Sequence, residues 1–391
     1  MKFVRKTINP EKYIDNIFVV TNMAKADPEG INATAGCLFG EDGKLLAYKS
    51  VFDNEKEIAN SLKAAYSTPE GNKEYLELIT KHILEDRVKT PHKTVATAGG
   101  TGALYLGTKI CLGDGDTIIF PEIAWGNYKV IAQELNLNVI NYDVYNIDSL
   151  FNAIDKANDK VFVVINSPCH NPCGQEYSFE EWKKIIDKLN NCNKDVVLLN
   201  DIAYIDYANE NAKQYFDLFN SLNDNVLVLL AFSCSKSFSY YGKRLGALIA
   251  INNDTEFIDY YINLCTRLCR ATWSNCNNEA MLNIVSLLKN KYDEYTKERN
   301  DSLIMLRKRV DLFIKQAQEN NLEFYPYTAG FFVTLKVDDL ALRDKIHKAL
   351  LDNRIYTIKV NKGIRIGLCS VPINRVDGLA TRIANIIKEV S

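Results

Sequence analysis

The residue in this chain best suited to covalent chemistry is a lysine that follows a strand-like apolar run. The run Val226–Phe232 is unbroken, which is typical of a buried strand in a parallel sheet, and Lys236 lies just beyond it. Because a charged amine is costly to bury, partial desolvation lowers its pKa and favours the neutral amine that forms Schiff bases. Ser233, Ser235 and Arg244 lie close by in sequence and are suited to binding a phosphate. Alone, the pattern is more typical of a solvated turn.

A glycine-rich segment, Thr97–Ala103, is a second candidate for phosphate binding. At Gly99, Gly100 and Thr101, small residues let backbone N–H groups approach an anion at the start of a helix-like stretch. A structural turn would explain the same composition. The segment lacks the third glycine of a dinucleotide fingerprint, because Tyr105 takes that place, and it comes late in the chain. Both facts argue against a nicotinamide-dependent dehydrogenase.

Three further residues follow other strand-like runs. Asp201 ends an apolar run, where its carboxylate could keep the nitrogen of a pyridine ring protonated, although it could also cap a helix. Tyr204 could donate a hydrogen bond to a phenolic oxygen on such a ring. Trp125 could stack on the ring, or it could be part of the core. With a Schiff-base lysine and phosphate donors, these residues favour pyridoxal 5'-phosphate as the cofactor.

The loop Ser167–Gly174 carries a fourth candidate. Its two prolines and its glycine fix the backbone, so Asn171 becomes a rigid polar group at the edge of the sheet. Asn171 could reach the phenolic oxygen of the cofactor or a substrate carboxylate. We interpret the neighbouring His170 as structural.

These residues need a sheet to bring them together, and the chain between residues 95 and 250 predicts one. Strand-like runs alternate with helical patterns such as Tyr128–Leu135, Ile147–Lys156 and Phe179–Leu189. This alternation predicts an α/β fold with a mainly parallel sheet, flanked by helices and with its functional residues at the carboxyl ends of the strands. The predicted strands are Thr117–Phe120, Val139–Val144, Val161–Ile165, Val196–Leu199, Val226–Phe232 and Leu245–Ile251.

The last 70 residues or so predict a smaller α+β unit. Long helical patterns at Asn278–Asn290 and Lys291–Asn320 precede it. Its predicted strands and helices are Gly330–Lys336, Tyr356–Lys359, Gly363–Leu368, Leu340–Leu351 and Arg375–Val390. We expect residues 46–300 to form the large domain, with residues 1–45 and 301–391 together forming the small one.

Composition narrows the classes of function. The chain has 391 residues, enough for two domains, and 47 basic against 49 acidic side chains. A net charge of −2 argues against nucleic acid or a membrane surface as a partner. We expect no membrane span and no signal peptide. The ten scattered cysteines form no Cys-x-x-Cys pair, which predicts reduced thiols in the cytoplasm and no bound metal.

Taken together, the motifs resemble one family, the fold-type I pyridoxal-phosphate-dependent aminotransferases, and within it the branch of the aspartate and aromatic aminotransferases. The resemblance runs from about residue 30 to the end of the chain, and six motifs in order make it specific. The segments that carry it include Asn171-Pro-Cys-Gly174, Asp201-Ile-Ala-Tyr204, Ser233-Cys-Ser-Lys236, Arg244 within Tyr-Gly-Lys-Arg-Leu-Gly, Arg270-Ala-Thr-Trp-Ser-Asn275 and Arg365.

The resemblance implies roles for five residues outside the first motifs. Gly36 and Phe332 would line the substrate site, and Arg365 would bind the α-carboxylate of the substrate. Tyr66 would reach across a dimer interface to the partner's cofactor phosphate. Arg270 would enter the partner's site and bind a distal carboxylate, although it could also lie on a solvated face. A two-fold homodimer is therefore expected.

The sequence also departs from the family pattern. Cys173 replaces a threonine, and Cys276 and Asn277 replace two prolines. Tyr128 stands where that branch often has histidine. These departures leave the choice between aspartate and aromatic donors open.

The activity implied by the resemblance is amino-group transfer between an L-amino acid and a 2-oxo acid such as 2-oxoglutarate. Lys236, Asp201 and Tyr204 would be the catalytic residues in a ping-pong mechanism. A lyase of the same fold, catalysing β-elimination or C–S cleavage, is the alternative. A ligand-sensing regulator is disfavoured because only about 30 residues precede the first motif.

Overall fold

The computed structural model describes residues 16–158 and 160–390. The predicted lack of a signal peptide concerns residues outside these ranges. The strands are β1 Ile31–Asn32, β2 His92–Thr97, β3 Thr117–Pro121, β4 Asn138–Tyr142, β5 Lys160–Asn166, β6 Asp195–Asp201, β7 Val226–Ser233, β8 Gly246–Ile251, β9 Phe332–Lys336, β10 Ile355–Tyr356, β11 Ile358–Val360 and β12 Gly363–Gly367.

The helices lie mainly between and after these strands. They are α1 Asn16–Ala26, α2 Lys49–Lys56, α3 Asn60–Lys63, α4 Lys73–Leu84, α5 Gly99–Cys111, α6 Asn127–Glu134, α7 Ile147–Lys156, α8 Phe179–Asn190, α9 Cys234–Ser237, α10 Thr255–Thr272, α11 Asn278–Asn290, α12 Tyr292–Glu319, α13 Leu340–Asp352, α14 Ile373–Val376 and α15 Leu379–Val390. In the described part of the chain, none of them has the length and apolar character that crossing a bilayer needs.

A seven-stranded sheet in the order β2-β8-β7-β6-β5-β3-β4 forms the centre of the molecule. Only β8 runs antiparallel to its neighbours, so the predicted α/β class with a mainly parallel mixed sheet is confirmed. The carboxyl ends of β3, β5, β6 and β7 and the amino end of β8 therefore meet at one edge, where ligands bind in such sheets.

Strand β7 shows why helices cover both faces of this sheet. All eight of its residues are buried. Val228 and Leu230 belong to one apolar cluster, whereas Leu227 and Leu229 belong to another on the opposite face. Because side chains alternate along a strand, an unbroken apolar run produces two apolar faces, and each needs a covering layer of helices.

A second, smaller core joins the two ends of the described chain. β9, β11 and β12 form an antiparallel sheet, and β1 pairs in parallel with β10. Helix α12 spans both cores, because Tyr295 packs in a cluster against the large sheet and Phe313 packs in the small one. The domain limits expected at residues 45/46 and 300/301 stay a prediction, and α12 runs through the second.

Three elements differ from the sequence predictions. The strand predicted at Tyr356–Lys359 is two strands, because β10 pairs with β1 and β11 pairs with β12. The helix predicted at Arg375–Val390 is interrupted at Gly378, whose φ of +77° no regular helix allows. Strand β2 has no apolar run of its own, since its first residues are polar and partly exposed.

Candidate active site

A cavity of about 320 Å³ lies at the carboxyl edge of the large sheet. A larger cavity of about 660 Å³ is lined by residues at the opposite edge, such as Asp195 and Asn225, and contains none of the predicted site residues. The predicted residues that line the smaller cavity are Gly36, Gly100, Thr101, Trp125, Asn171, Asp201, Tyr204, Ser233, Lys236, Arg244 and Arg365. The predicted site residues therefore meet at the smaller cavity.

Lys236 lies in the short helix α9, directly after β7. Its Nζ donates a hydrogen bond to the carbonyl of Gly36 and lies 4.9 Å from the ring centre of Tyr241 and 5.4 Å from that of Tyr204. No carboxylate forms an ion pair with it among the described residues. Burial therefore lowers the pKa of Lys236, and a larger fraction of the amine is neutral than in water.

Asp201 ends β6 and is buried, with 5% of its surface exposed. One carboxylate oxygen accepts the hydroxyl of Tyr128 at 2.6 Å, and the other accepts the backbone N–H of Ala203 at 3.1 Å. Burial raises the pKa of Asp201 to about 6, although both hydrogen bonds oppose that shift. Asp201 lines the cavity, and each of its carboxylate oxygens has a lone pair left for a further donor.

The residues predicted to bind phosphate meet where α5 begins. Gly99 has φ of +73°, and a Cβ there would collide with the guanidinium of Arg244. Arg244 Nη1 donates to the hydroxyl of Ser235 at 3.0 Å. A Cβ on Gly100 would lie 3.1 Å from the Cβ of Ser233. The absence of these side chains leaves room for backbone N–H groups, two hydroxyls and a guanidinium to surround an anion.

Arg365 lies on β12 with its guanidinium held on several sides. Its Nη1 donates to Asn171 Oδ1 at 3.2 Å and its Nη2 donates to the carbonyl of Thr34 at 2.7 Å. The guanidinium carbon lies 4.3 Å from the ring centre of Phe332. Burial lowers its pKa, and its Nε is without a partner in the described part of the chain. A buried cation with a spare donor suits a carboxylate ligand.

Gly36 keeps the space above the lysine open. A Cβ on Gly36 would lie 3.5 Å from Phe332 and 3.9 Å from both Lys236 Nζ and the Tyr204 hydroxyl. Tyr204 packs edge-on against Phe332, with ring centres 5.9 Å apart. Trp125 lines the cavity, and its ring lies nearly perpendicular to that of Tyr128, with ring centres 5.7 Å apart.

Two predicted residues lie elsewhere in this chain. Tyr66 is 90% exposed and does not line the cavity. Arg270, near the end of α10, is also exposed, and its Nη1 donates to the hydroxyl of Ser274 at 2.5 Å. The expected action of both residues in a partner's site stays a prediction.

Sequence reasoning did not assign three residues that shape the site. Tyr128 was seen only as a departure, and nothing local indicated its bond to Asp201, 73 positions away. Asn166 donates to the carbonyl of Asp201 at 2.8 Å and accepts the N–H of Asn171 at 2.7 Å. Its place at the carboxyl end of an apolar run was a usable signal. No sequence signal indicated Tyr241, whose hydroxyl accepts the backbone N–H of Leu38.

The other reactive side chains have structural surroundings. All ten cysteines are free, and Cys173 and Cys276 are buried. His170 is buried without a hydrogen-bond partner among the described residues, and burial lowers its pKa to about 3. It is therefore neutral, in line with a structural role. Within residues 16–158 and 160–390, no group of three acidic, histidine or cysteine side chains could hold a metal ion.

The donor set of the cavity fits pyridoxal phosphate. The anion cradle at α5 matches its phosphate, and the carboxylate of Asp201 matches a protonated ring nitrogen. Lys236 presents a desolvated amine for its aldehyde, between aromatic side chains. The fold and this site together define the class of the pyridoxal-phosphate enzymes of fold type I.

Comparison with known proteins identifies the family within that class. The sequence model of the aminotransferases of class I and II matches residues 29–383. This chain therefore belongs to the class I and II aminotransferases, and the family predicted from the motifs is confirmed.

Individual proteins agree with that assignment. An aminotransferase structure from Anaerococcus prevotii is 31% identical, with a TM-score of 0.95 over 98% of this chain and 99% of that one. The aspartate aminotransferase of Pseudomonas aeruginosa is 28% identical over 269 residues, 64% of this chain. That match spans 66% of the relative, just under two thirds of its length.

A third comparison supports the fold. The aromatic-amino-acid aminotransferase of Burkholderia pseudomallei, solved covalently bound to pyridoxal phosphate, is 23% identical. Its TM-score is 0.81, over 98% of this chain and all of that one. At this identity the likeness is one of fold, and it confirms the predicted fold type.

Proposed function

We propose that this protein is a pyridoxal-phosphate-dependent aminotransferase that moves an amino group between an L-amino acid and a 2-oxo acid such as 2-oxoglutarate. The donor would be aspartate, glutamate or an aromatic amino acid. The observation that carries the proposal is one cavity in which Lys236, Asp201 and Arg365 meet, in a chain of this family.

The cofactor would be held at both ends. Gly99, Gly100, Thr101, Ser233 and Arg244 would bind its phosphate at the start of α5. Asp201 would bind its ring nitrogen, Trp125 would cover one face of the ring, and Asn171 and Tyr204 would bind its phenolic oxygen. When bound, pyridoxal phosphate supplies an aldehyde that condenses with amines and a ring that withdraws electrons from the substrate Cα.

Lys236 would move the proton that the reaction transfers. Because burial lowers its pKa, its Nζ would be available as a base that removes the proton from the substrate Cα and, as an acid, delivers that proton to the former aldehyde carbon of the cofactor. The carbonyl of Gly36 and the rings of Tyr204 and Tyr241 hold the amine near the centre of the cavity. Such positioning converts a bimolecular proton transfer into an intramolecular one.

Arg365 would orient the substrate. Its fixed guanidinium plane suits the α-carboxylate, and Asn171 holds that plane through its side-chain oxygen. Fixing the carboxylate and the amino group would restrict the orientation of the Cα–H bond relative to Lys236. The aromatic ring of Phe332 supports the guanidinium from one side and excludes water there.

The complete enzyme would be a cytoplasmic homodimer. Tyr66 and Arg270 are both exposed, which supports a role for them in the partner's site. Tyr66 would reach the cofactor phosphate there, and Arg270 would bind the distal carboxylate of aspartate or glutamate. An aromatic donor would bind without that contact.

Half-reactions test the proposal. Protein loaded with pyridoxal phosphate is mixed separately with aspartate, glutamate, tyrosine, phenylalanine and alanine, and the cofactor absorbance is followed. We expect conversion to the pyridoxamine form with at least one dicarboxylic or aromatic donor, and release of the matching 2-oxo acid. The Lys236→Ala variant should lose this conversion, whereas Lys73→Ala, at an exposed lysine of α4, should keep it.

Two outcomes would contradict the proposal. If the Lys236→Ala variant still converts the cofactor to the pyridoxamine form, Lys236 does not have the proposed role. Release of pyruvate and ammonia from cysteine or a related donor, with no conversion by the five amino acids above, would assign the lyase reaction instead.

A further inference from the structure

The cavity of about 660 Å³ lies at the opposite edge of the large sheet from the active site. The starts of β5, β6 and β7 and the segment after β8 line it, together with the end of α5 and the first turns of α10. Sites for small molecules in proteins usually have volumes of about 300–1,000 Å³. We call this space the amino-edge cavity, because the parallel strands that line it do so with their amino ends.

The amino-edge cavity opens where two covering helices leave part of the sheet free. Helix α5 ends at Cys111 and α10 begins at Thr255, and residues of both helices pack in one apolar cluster with Val197 and Leu227. Val197 and Leu227 also line the cavity. The sheet therefore provides an apolar floor, and the ends of the two helices provide the walls.

The walls are apolar and partly aromatic. Phe257 and Tyr261 lie one turn apart on α10, with ring centres 6.1 Å apart, and both line the cavity. Leu264 of α10 and Ile110 of α5 line it as well. These side chains give a ligand an apolar surface and two rings whose faces attract cations.

The charged side chains that line the cavity are mostly acidic. They are the three carboxylates of Asp195, Asp224 and Asp254 and the amine of Lys160. The amine is already engaged, because Lys160 Nζ donates to the carbonyl of Cys111 at 2.9 Å. The net negative charge of the lining complements a cationic ligand.

Two of the three carboxylates are available to such a ligand. Asp254 caps α10 and accepts the N–H of Phe257 at 3.0 Å. Asp195 and Asp224 form no ion pair within the described part of the chain. The nearest side-chain donor to Asp224 is Asn253 Nδ2, at 3.5 Å from Oδ1, which is a weak contact.

The backbone around these carboxylates is held by one buried asparagine. Asn252 is 3% exposed, and its Nδ2 donates to the carbonyls of Asp224 at 3.2 Å and Val226 at 2.8 Å. Its Oδ1 accepts the N–H of Asp254 at 2.9 Å. The rim of the cavity is therefore fixed before a ligand binds, so that binding costs little ordering of the protein.

We propose that the amino-edge cavity is a second binding site, which takes a small organic cation whose apolar body lies on the floor and whose charge is held by Asp195 and Asp224. The active-site cavity is lined by Lys236, Arg244 and Arg365, whose positive charges disfavour such a ligand. The inference does not depend on the proposed aminotransferase activity.

Benzyltrimethylammonium is a suitable probe because it joins an aromatic ring to a permanent positive charge. Its quaternary nitrogen cannot condense with an aldehyde, so protein loaded with pyridoxal phosphate can be used. Titration calorimetry should give a Kd on the order of 1 mM. Tetramethylammonium lacks the ring and benzyl alcohol lacks the charge, and each should bind about tenfold more weakly. Added salt should weaken binding of benzyltrimethylammonium and leave that of benzyl alcohol unchanged.

Substitutions at the rim and at one wall locate the probe. Asp195→Asn and Asp224→Asn should each raise the Kd about threefold, since both carboxylates are exposed and solvent screens them. Asp301→Asn is the matched control, because Asp301 is exposed on α12 and does not line the cavity. Leu264→Trp should abolish binding by filling the cavity, and the half-buried position of Leu264 leaves room for the larger ring outside the core. Thermal unfolding checks that each variant is folded.

Three outcomes would overturn the inference. Benzyltrimethylammonium could bind no more tightly than tetramethylammonium and benzyl alcohol. The Kd could stay within twofold of the unaltered value in both Leu264→Trp and the double variant Asp195→Asn/Asp224→Asn. Binding that is lost in Trp125→Ala and kept in Leu264→Trp would place the probe in the active-site cavity. Each of these results would leave the aminotransferase proposal untouched, because the half-reactions test that proposal separately.

Discussion

At the scale of single residues, two opposed influences act on the pKa of Asp201. Burial raises its pKa to about 6, whereas the hydroxyl of Tyr128 and the N–H of Ala203 favour the charged form. A protonated ring nitrogen beside it would add a third favourable partner. The charged carboxylate is therefore costly in the cofactor-free protein, and a cationic ring bound beside it would offset that cost.

This cost predicts a pH dependence of stability. The pKa of Asp201 in the folded protein, about 6, exceeds the reference value of 3.8. The protonated side chain therefore contributes to the free energy of unfolding in full below pH 4, and this contribution is lost as the pH rises through 6. The loss amounts to about 3 kcal/mol in the cofactor-free protein. Urea unfolding of Asp201→Asn and the unaltered protein between pH 4 and pH 7 should show this difference.

Asp206 serves as a control because its pKa is shifted in the opposite direction from that of Asp201. Burial raises its pKa, but His82, Lys213 and Arg299 outweigh burial and hold the pKa well below its usual range. Its contribution to stability is therefore present at neutral pH and is lost as the pH falls. A comparison of Asp206→Asn with the unaltered protein should show a difference that shrinks toward low pH. The same trend in Asp201→Asn would contradict the burial argument.

Tyr128 is predicted to act through Asp201. Tyr128→Phe removes the 2.6 Å hydrogen bond, so the carboxylate is protonated over a wider pH range and holds a ring nitrogen less well. We expect kcat at pH 7 to fall about tenfold with a smaller change in KM, and part of the loss to be recovered at higher pH. Tyr142→Phe is the control, because Tyr142 is also buried but donates to the carbonyl of Val164. Equal losses in both variants would indicate a packing effect.

At the scale of elements, the start of α5 depends on Gly99, whose lack of a side chain matters for its surroundings and not for helix formation. Gly99 has a left-handed φ of +73°, and a side chain there would collide with Arg244. Gly99→Ala should therefore weaken binding of pyridoxal phosphate by tenfold or more, through backbone strain of about 1 kcal/mol and displacement of the guanidinium.

A glycine just past the other end of the same helix serves as the control. A Cβ on Gly113 would meet its nearest neighbour, Asp116 Oδ2, at 3.7 Å, which is an ordinary contact. Titration of both cofactor-free variants with pyridoxal phosphate measures the Kd. A Kd in Gly99→Ala within twofold of that in Gly113→Ala would contradict the role of Gly99 in the phosphate cradle.

At the scale of the whole molecule, the proposed dimer makes each site depend on two chains. Lys236 lies in the cavity, whereas Arg270 is exposed and does not line the cavity of its own chain. In a hybrid dimer of a Lys236→Ala chain with an Arg270→Ala chain, one site would contain an intact lysine and an intact arginine.

Refolding an equal mixture of the two variants tests this arrangement. Each variant alone should have little activity toward aspartate, and the mixture should recover about a quarter of the unaltered activity, since half of the dimers are hybrids with one complete site. Phenylalanine turnover by Arg270→Ala alone should stay high. Activity of the mixture no greater than the mean of the two variants would contradict a shared site.

The sequence by itself determined the parts of this protein whose signals are local. Unbroken apolar runs indicated the buried strands, and the residues after them indicated Lys236, Asp201 and Asn171. Short motifs in a fixed order predicted the family, because each motif is a turn whose conformation and chemistry are set by a few neighbouring residues. These expectations about the family and the central sheet were confirmed.

Only the tertiary structure decided which distant residues share the cavity. Three features join residues far apart in the chain: the bond of Tyr128 to Asp201, the link from Thr21 through Thr34 to Arg365, and the position of Phe18 in the lining of the cavity. Such contacts depend on strand order and on how the two ends of the chain pack, and no local pattern encodes either. For that reason the sequence indicated the chemistry, and the tertiary structure decided which side chains surround it.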